Sequence, residues 1–171
     1  TMSRPSTATA PGDSTRLEWL LVDPAQPLKV TLAWTDAPGA VGSNPSLVND
    51  LDLRVSRAGG GTWVGNGFTN GWSDPAITTP DALNNVENVF VEKPALDVYT
   101  ATVTAANIAG DGVPGNADTT AQDYALVVSN AELATPDGKV RLVVTPVQCN
   151  ARLDILVDDT DLGGSATVKV R

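Results

Sequence analysis

The chain has 171 residues, 42% of them hydrophobic, which suits one domain with a real core plus a smaller unit. Its formal charge of −9 disfavours nucleic acid and anionic lipid as partners and favours cations. With no histidine, it lacks the side chain that exchanges protons near neutral pH unaided, which excludes a Ser-His-Asp triad, a Cys-His dyad and the usual zinc sites.

Residues 1–16 are polar, small and poor in apolar side chains, and they read as a linker or entering arm. The start, Thr1-Met2-Ser3-Arg4-Pro5, has no signal-peptide core, so the chain is expected to be a piece of something longer. No apolar run approaches the ~20 residues of a membrane helix, so no membrane insertion is expected. The first strand is predicted over 17–22, ended by Asp23-Pro24. Leu28, Val30, Leu32 and Trp34 then alternate with Lys29, Thr31, Ala33 and Thr35, the period of a half-buried strand. Asp36 continues that apolar face, and Ala37-Pro38-Gly39 turns the chain.

Over 49–55, Leu51, Leu53 and Val55 face one way and Asp50, Asp52 and Arg54 the other. Gly59-Gly60-Gly61 is a permissive turn before a short strand at 62–64. Residues 65–85 read as a long Gly/Asn/Asp/Pro loop, of a length that is usually functional or tied by an ion. Strands follow over 86–91 and 98–105, then a Gly/Asp loop over 109–121, then a strand over 123–129. No amphipathic helix is found. Seven or eight strands within 17–131, with turn signals throughout, predict an all-β, antiparallel sandwich, most simply a jelly roll. Thr135-Pro136-Asp137-Gly138 marks a boundary, and 137–171 carries three more strand patterns, 139–145, 152–157 and 167–171. Three strands cannot close a sandwich, so this β-rich extension reads either as docked on the first domain or as a truncated Ig-like domain. In the latter case the lone Cys149 would find its disulfide partner beyond the chain; a small buried hydrophobe is the plainer reading.

Three acidic groups could carry chemistry. Asp50 and Asp52 share a strand face roughly 6–7 Å apart and repel unless a cation or arginine lies between them. Asp36, Asn49, Asn84, Asn85, Glu87 and Asn88 could supply further hard oxygen donors if their loops converge; a solvated strand face with turn-capping Asp is the rival reading. Asp111, Asn116, Asp118 and Asp123 form a second group, without the ligand spacing of an EF-hand, and Asp158, Asp159 and Asp161 a third at a strand end. The pair Asp50 and Asp52 has the spacing of a glycosidase, but Arg54 beside it opposes the raised pKa such an acid needs. Of the four tryptophans, Trp34 reads as core with Trp19 in a strand, while Trp72 or Trp63 could stack on a sugar, which keeps a carbohydrate- or surface-binding module as the alternative function.

In chain order, Leu28-Lys29-Val30-Thr31-Leu32-Ala33-Trp34-Thr35-Asp36-Ala37-Pro38, Leu47-Val48-Asn49-Asp50-Leu51-Asp52-Leu53, Gly65-Asn66 and Asn84-Asn85-Val86-Glu87-Asn88-Val89 occur together, followed by Asp123-Tyr124-Ala125-Leu126-Val127-Val128-Ser129-Asn130. This set resembles the jelly-roll, P-domain-like β-barrel that follows the catalytic domain in a group of secreted subtilisin-like serine proteases. The resemblance covers about residues 17–131. It implies an extracellular parent with its triad upstream, a catalytic protease domain as partner in cis, and a non-catalytic accessory role in stability and substrate access. Some relatives bind calcium in this barrel, which makes Ca2+ the expected cofactor, with Asp36, Asp50, Asp52, Asn49 and Glu87 as ligands. Residues 137–171 resemble the opening of a repeated Ig-like module of large secreted bacterial proteins.

Overall fold

The computed structural model describes residues 2–115, 117–133, 139–143 and 154–158. The chain forms two compact units, Thr1–Glu132 and Leu133–Arg171. Every element described is a strand: β1 Met2–Ala8, β2 Ser14–Leu21, β3 Leu28–Ala33, β4 Asp50–Arg57, β5 Thr62–Val64, β6 Phe68–Thr69, β7 Trp72–Ser73, β8 Val86–Val91, β9 Val98–Asn107, β10 Gln122–Ser129, β11 Ala131–Leu133, β12 Lys139–Val143 and β13 Asp154–Asp158.

The first unit is an antiparallel sandwich of a four-stranded sheet, ordered β1-β10-β3-β8, and a five-stranded sheet, ordered β11-β2-β9-β4-β5. The chain passes from one sheet to the other at almost every connection, so neighbouring strands are distant in sequence. Alternation decides the core. Leu28, Val30, Leu32, Val89, Leu126 and Val128 of one sheet pack against Leu17, Trp19, Leu21, Leu51, Leu53, Val55, Ala101 and Val103 of the other. The residues between them point outward, as the period of two requires. Three rings close one end of this core: Tyr99 stacks on Trp19 and on Trp63, each at 6.4 Å between centroids.

Residues 1–16, expected as a linker or arm, instead contribute β1 and the start of β2. β1 is an edge strand paired along its whole length with β10, and Pro5 is tolerated there because an edge leaves one row of amides without a ladder partner. The long 65–85 loop is also more structured than expected. It holds the hairpin β6–β7, whose Asn70-Gly71 corner takes φ of 53° and 84°, the left-handed pair that a two-residue hairpin turn demands. In the second unit β12 and β13 pair antiparallel; the expected strand at 167–171 and Cys149 lie outside the described residues.

Candidate functional site

The end of the sandwich opposite the aromatic stack gathers the acidic and amide side chains singled out above. Glu87 sits on β8 in alternation with Val89 and Val91, so its position in the strand aims it inward, and it is 0% exposed. Its carboxylate reaches across to the other sheet, where its Oε2 accepts the Leu53 N–H at 2.5 Å. That amide is available because the β4–β5 ladder gives out there: Arg54 pairs with Val64, and Gly65 N–H then donates to the Leu53 carbonyl at 2.8 Å. Glu87 thus substitutes for the missing strand. Gly65 is required beside it, since a Cβ there would collide with the Glu87 carboxylate. Oε1 of Glu87 is buried without a hydrogen-bond partner among the described residues. Burial, reinforced by the charges of Asp52, Asp81 and Asp50, pushes the Glu87 carboxyl up to about 8 despite the Leu53 hydrogen bond.

Asp50 and Asp52 project from β4 on the face opposite Leu51 and Leu53, both half-buried. The register between β4 and β9 slips at Asp50/Leu51, so a bulge lies directly at this pair. Asp50 Oδ1 is a second buried oxygen with no hydrogen-bond partner among the described residues. Burial and then the charges of Asp52, Asp81 and Asp36 push Asp50 up to about 6; burial also raises Asp52, with Arg54 opposing and Asp81 adding. Asp81, in the 74–85 loop, belongs to the same electrostatic group but was not singled out from the sequence. Burial would raise it, yet the Asn66 and Asn84 amides, each 2.6 Å from Oδ2, and the Leu83 N–H on Oδ1 at 2.8 Å hold it below the usual carboxylate range.

Asp36 and Asn49 are placed nearby but are occupied by the fold itself. Asp36 accepts the Ala37 and Asn49 amides on Oδ1, at 2.9 and 2.8 Å, and the Val48 amide on Oδ2 at 2.8 Å. Asn49 is 0% exposed. Its Nδ2 donates to the Gly110 carbonyl and Gln122 Oε1, and its Oδ1 accepts the Ala109 and Gly110 amides. Gln122 completes the knot by donating to the Thr35 and Asp123 carbonyls. It too went unremarked in the sequence, although a glutamine in phase with Tyr124, Leu126 and Val128 signals a polar group facing inward. Asn88 and Asn85 serve as ties, to Thr31 Oγ1 and to the Trp34 carbonyl. In the second acidic group, Asp111 caps the Val113 amide at 2.9 Å; Asn116 and residues 159–161 lie outside the described residues.

Among the described residues, no three His, Cys, Asp or Glu side chains are gathered into a ready-made metal site. The donor chemistry is nevertheless that of a hard cation: carboxylates crowded enough to raise one another's pKa, two of them with an unpartnered buried oxygen. Trp63 and Trp72 are half-buried, Trp63 against Tyr99. The cleft beside β3 and β10 is lined by Ala33, Trp34, Thr35, Asp123, Tyr124 and Ala125, and neither Trp63 nor Trp72 borders it.

The first unit is an all-β sandwich with one end closed by stacked rings and the other by carboxylates and amides. The chain is 34% identical over 80 residues to the serine protease/ABC transporter B family protein tagB of Dictyostelium discoideum, a stretch that is 46% of this chain and 4% of that protein. The likeness is to a protease-related protein, of which this chain spans a small part. No family model matches the chain.

Proposed function

We propose that the sandwich is a non-catalytic accessory domain of a secreted, subtilisin-like serine peptidase, joined in cis to the catalytic domain, which it stabilises while bordering the path of substrate. The observation that carries this reading is the likeness to a protein named as a serine protease, found in a chain without histidine. A compact sandwich docked on a catalytic domain removes apolar surface from water and restrains local opening. The test compares the whole peptidase with a version lacking residues 1–133. Faster thermal inactivation without the sandwich is expected. Equal half-lives, or peptide-bond cleavage by the 171-residue chain alone, would refute the reading.

The same proposal assigns calcium to the acidic end, with Asp50, Asp52 and Asp81 as the group that meets the ion and Glu87 buried behind them. A cation would relieve the mutual repulsion and take up the Asp50 oxygen left without a partner. Waters and carbonyls would complete a shell that calcium accepts in flexible geometry. Free calcium at 100 times its Kd would stabilise the fold by about 2.7 kcal/mol. The melting temperature in millimolar calcium should therefore exceed that in EDTA by several degrees, and superimposable melts would remove the ion.

A further inference from the structure

The connection from β3 to β4 has two parts with opposite properties. Its base is locked: Asp36 holds the Ala37, Val48 and Asn49 amides, and Trp34 Nε1 donates to the Asn49 carbonyl at 3.1 Å. Its tip is free. Residues 38–46 are all exposed, and Val41 stands wholly in solvent although it is aliphatic. Within the tip the Ser43 N–H donates to the Ala40 carbonyl at 3.1 Å, and Gly42 adopts a φ of 82°. A peptidase must draw several residues into an extended conformation, and an exposed tip of small residues with few bonds to break allows this.

We propose that the Ala40–Val41 bond is a processing site for a peptidase that selects an aliphatic residue on the amine side of the bond it cuts. Water adds across the bond, leaving a carboxylate on Ala40 and an ammonium on Val41, with no other reactant. Leu83, the other strongly exposed aliphatic residue of this end, is a poorer target. Its amide is bound to Asp81, and Asp81 is in turn held by Asn66 and Asn84, so that loop cannot be drawn out without breaking the tie.

The cut does not release either half, because the halves interleave. Before the bond lie β1, β2 and β3. β1 pairs with β10, β2 sits between β11 and β9, and β3 sits between β10 and β8. Strands from the two sides of the cut therefore alternate across the four-stranded sheet, and in the five-stranded sheet β2 is held between two strands from beyond the cut. The Asp36 clamp also pins the stub on each side, since it joins residue 36 to residues 48 and 49. The product is a two-chain sandwich with the original core.

The test is brief exposure of the 171-residue chain to thermolysin in millimolar calcium, with cuts mapped by mass and counted within residues 7–133. The first cut is expected at Ala40–Val41. The two fragments should co-elute at the mass of the intact chain under native conditions and separate in denaturant. Val41→Ser, a change at a fully solvated position, should slow this cut at least about tenfold, as loss of an aliphatic group from a specificity pocket does. A first cut elsewhere in 7–133, fragments that part under native conditions, or an unchanged rate for V41S would overturn the proposal.

Discussion

Glu87→Gln is the sharpest probe of the acidic end, because it keeps the shape and the acceptor for the Leu53 amide while removing the ability to ionise. In the folded chain the Glu87 carboxyl is pushed from the ordinary 4.5 up to about 8. Between those values the native state keeps a proton that the unfolded state has lost, so stability falls as pH rises through the window. The full span corresponds to at most about 5 kcal/mol. Asp50, raised to about 6, contributes in the lower part of the window, and comparison between pH 6 and pH 8 isolates Glu87. Over that interval the wild-type chain in EDTA should lose about 2 kcal/mol relative to E87Q. Urea unfolding followed by tryptophan fluorescence measures this, since Trp19 and Trp34 are core residues. E87Q should be the more stable protein at pH 8, with the advantage shrinking toward pH 4.5. Parallel curves for the two proteins across pH 6–8 would refute the reasoning.

Other expected outcomes follow from the same contacts. Gly65→Ala places a methyl against the Glu87 carboxylate and should cost about 1–3 kcal/mol by overpacking, read as a lower urea midpoint at unchanged slope. Asn49→Ala strips four hydrogen bonds from a fully buried position and leaves the Gln122 and Gly110 groups without partners. A loss of about 3–4 kcal/mol is expected in the same assay, and a loss below 1 kcal/mol would show that water replaces the amide at no cost.

The strands were legible wherever one face had to be buried. Alternation at Leu28-Val30-Leu32, at Leu51-Leu53-Val55 and at Tyr124-Leu126-Val128 names both the strand and its inward face, and the structure places each accordingly. β1 was not legible because an edge strand is specified by its ladder to β10 more than by an apolar face, and polar small residues can make that ladder. Glu87 could be read for the opposite reason: a carboxylate in phase with Val89 and Val91 conflicts with its surroundings, and such conflicts mark sites. Asp36 and Asn49 were harder to place, since an oxygen suited to a cation is equally suited to a loop amide. The choice depends on which amides the folded connection brings within 3 Å, here those of residues 37, 48, 49, 109 and 110. Asp81 gave no signal because its role comes from a loop folded over the end of β8, not from a periodic position.

The two ends of the sandwich are held by forces that respond to different variables. At the end of Val98 and Leu20, the Trp19–Tyr99–Trp63 stack and the Tyr99 hydroxyl, bonded to the Ala95 carbonyl at 2.9 Å, depend little on pH or ions. At the end of Asp50 and Gln122 the two sheets are joined by Glu87 to Leu53 and by Asn49 to Gln122, next to carboxylates that repel one another. Apolar burial there is interrupted by a charge that is unfavourable when ionised and unpaired. Any agent that neutralises the group, whether a proton on Glu87 or a bound cation, tightens the contact between sheets at that end alone. The loops that emerge there, 36–49 and 74–85, are anchored by Asp36 and Asp81, members of the same electrostatic group. Their stability is thus coupled to the charge carried by the acidic end, while the aromatic end keeps the fold assembled when that end loosens.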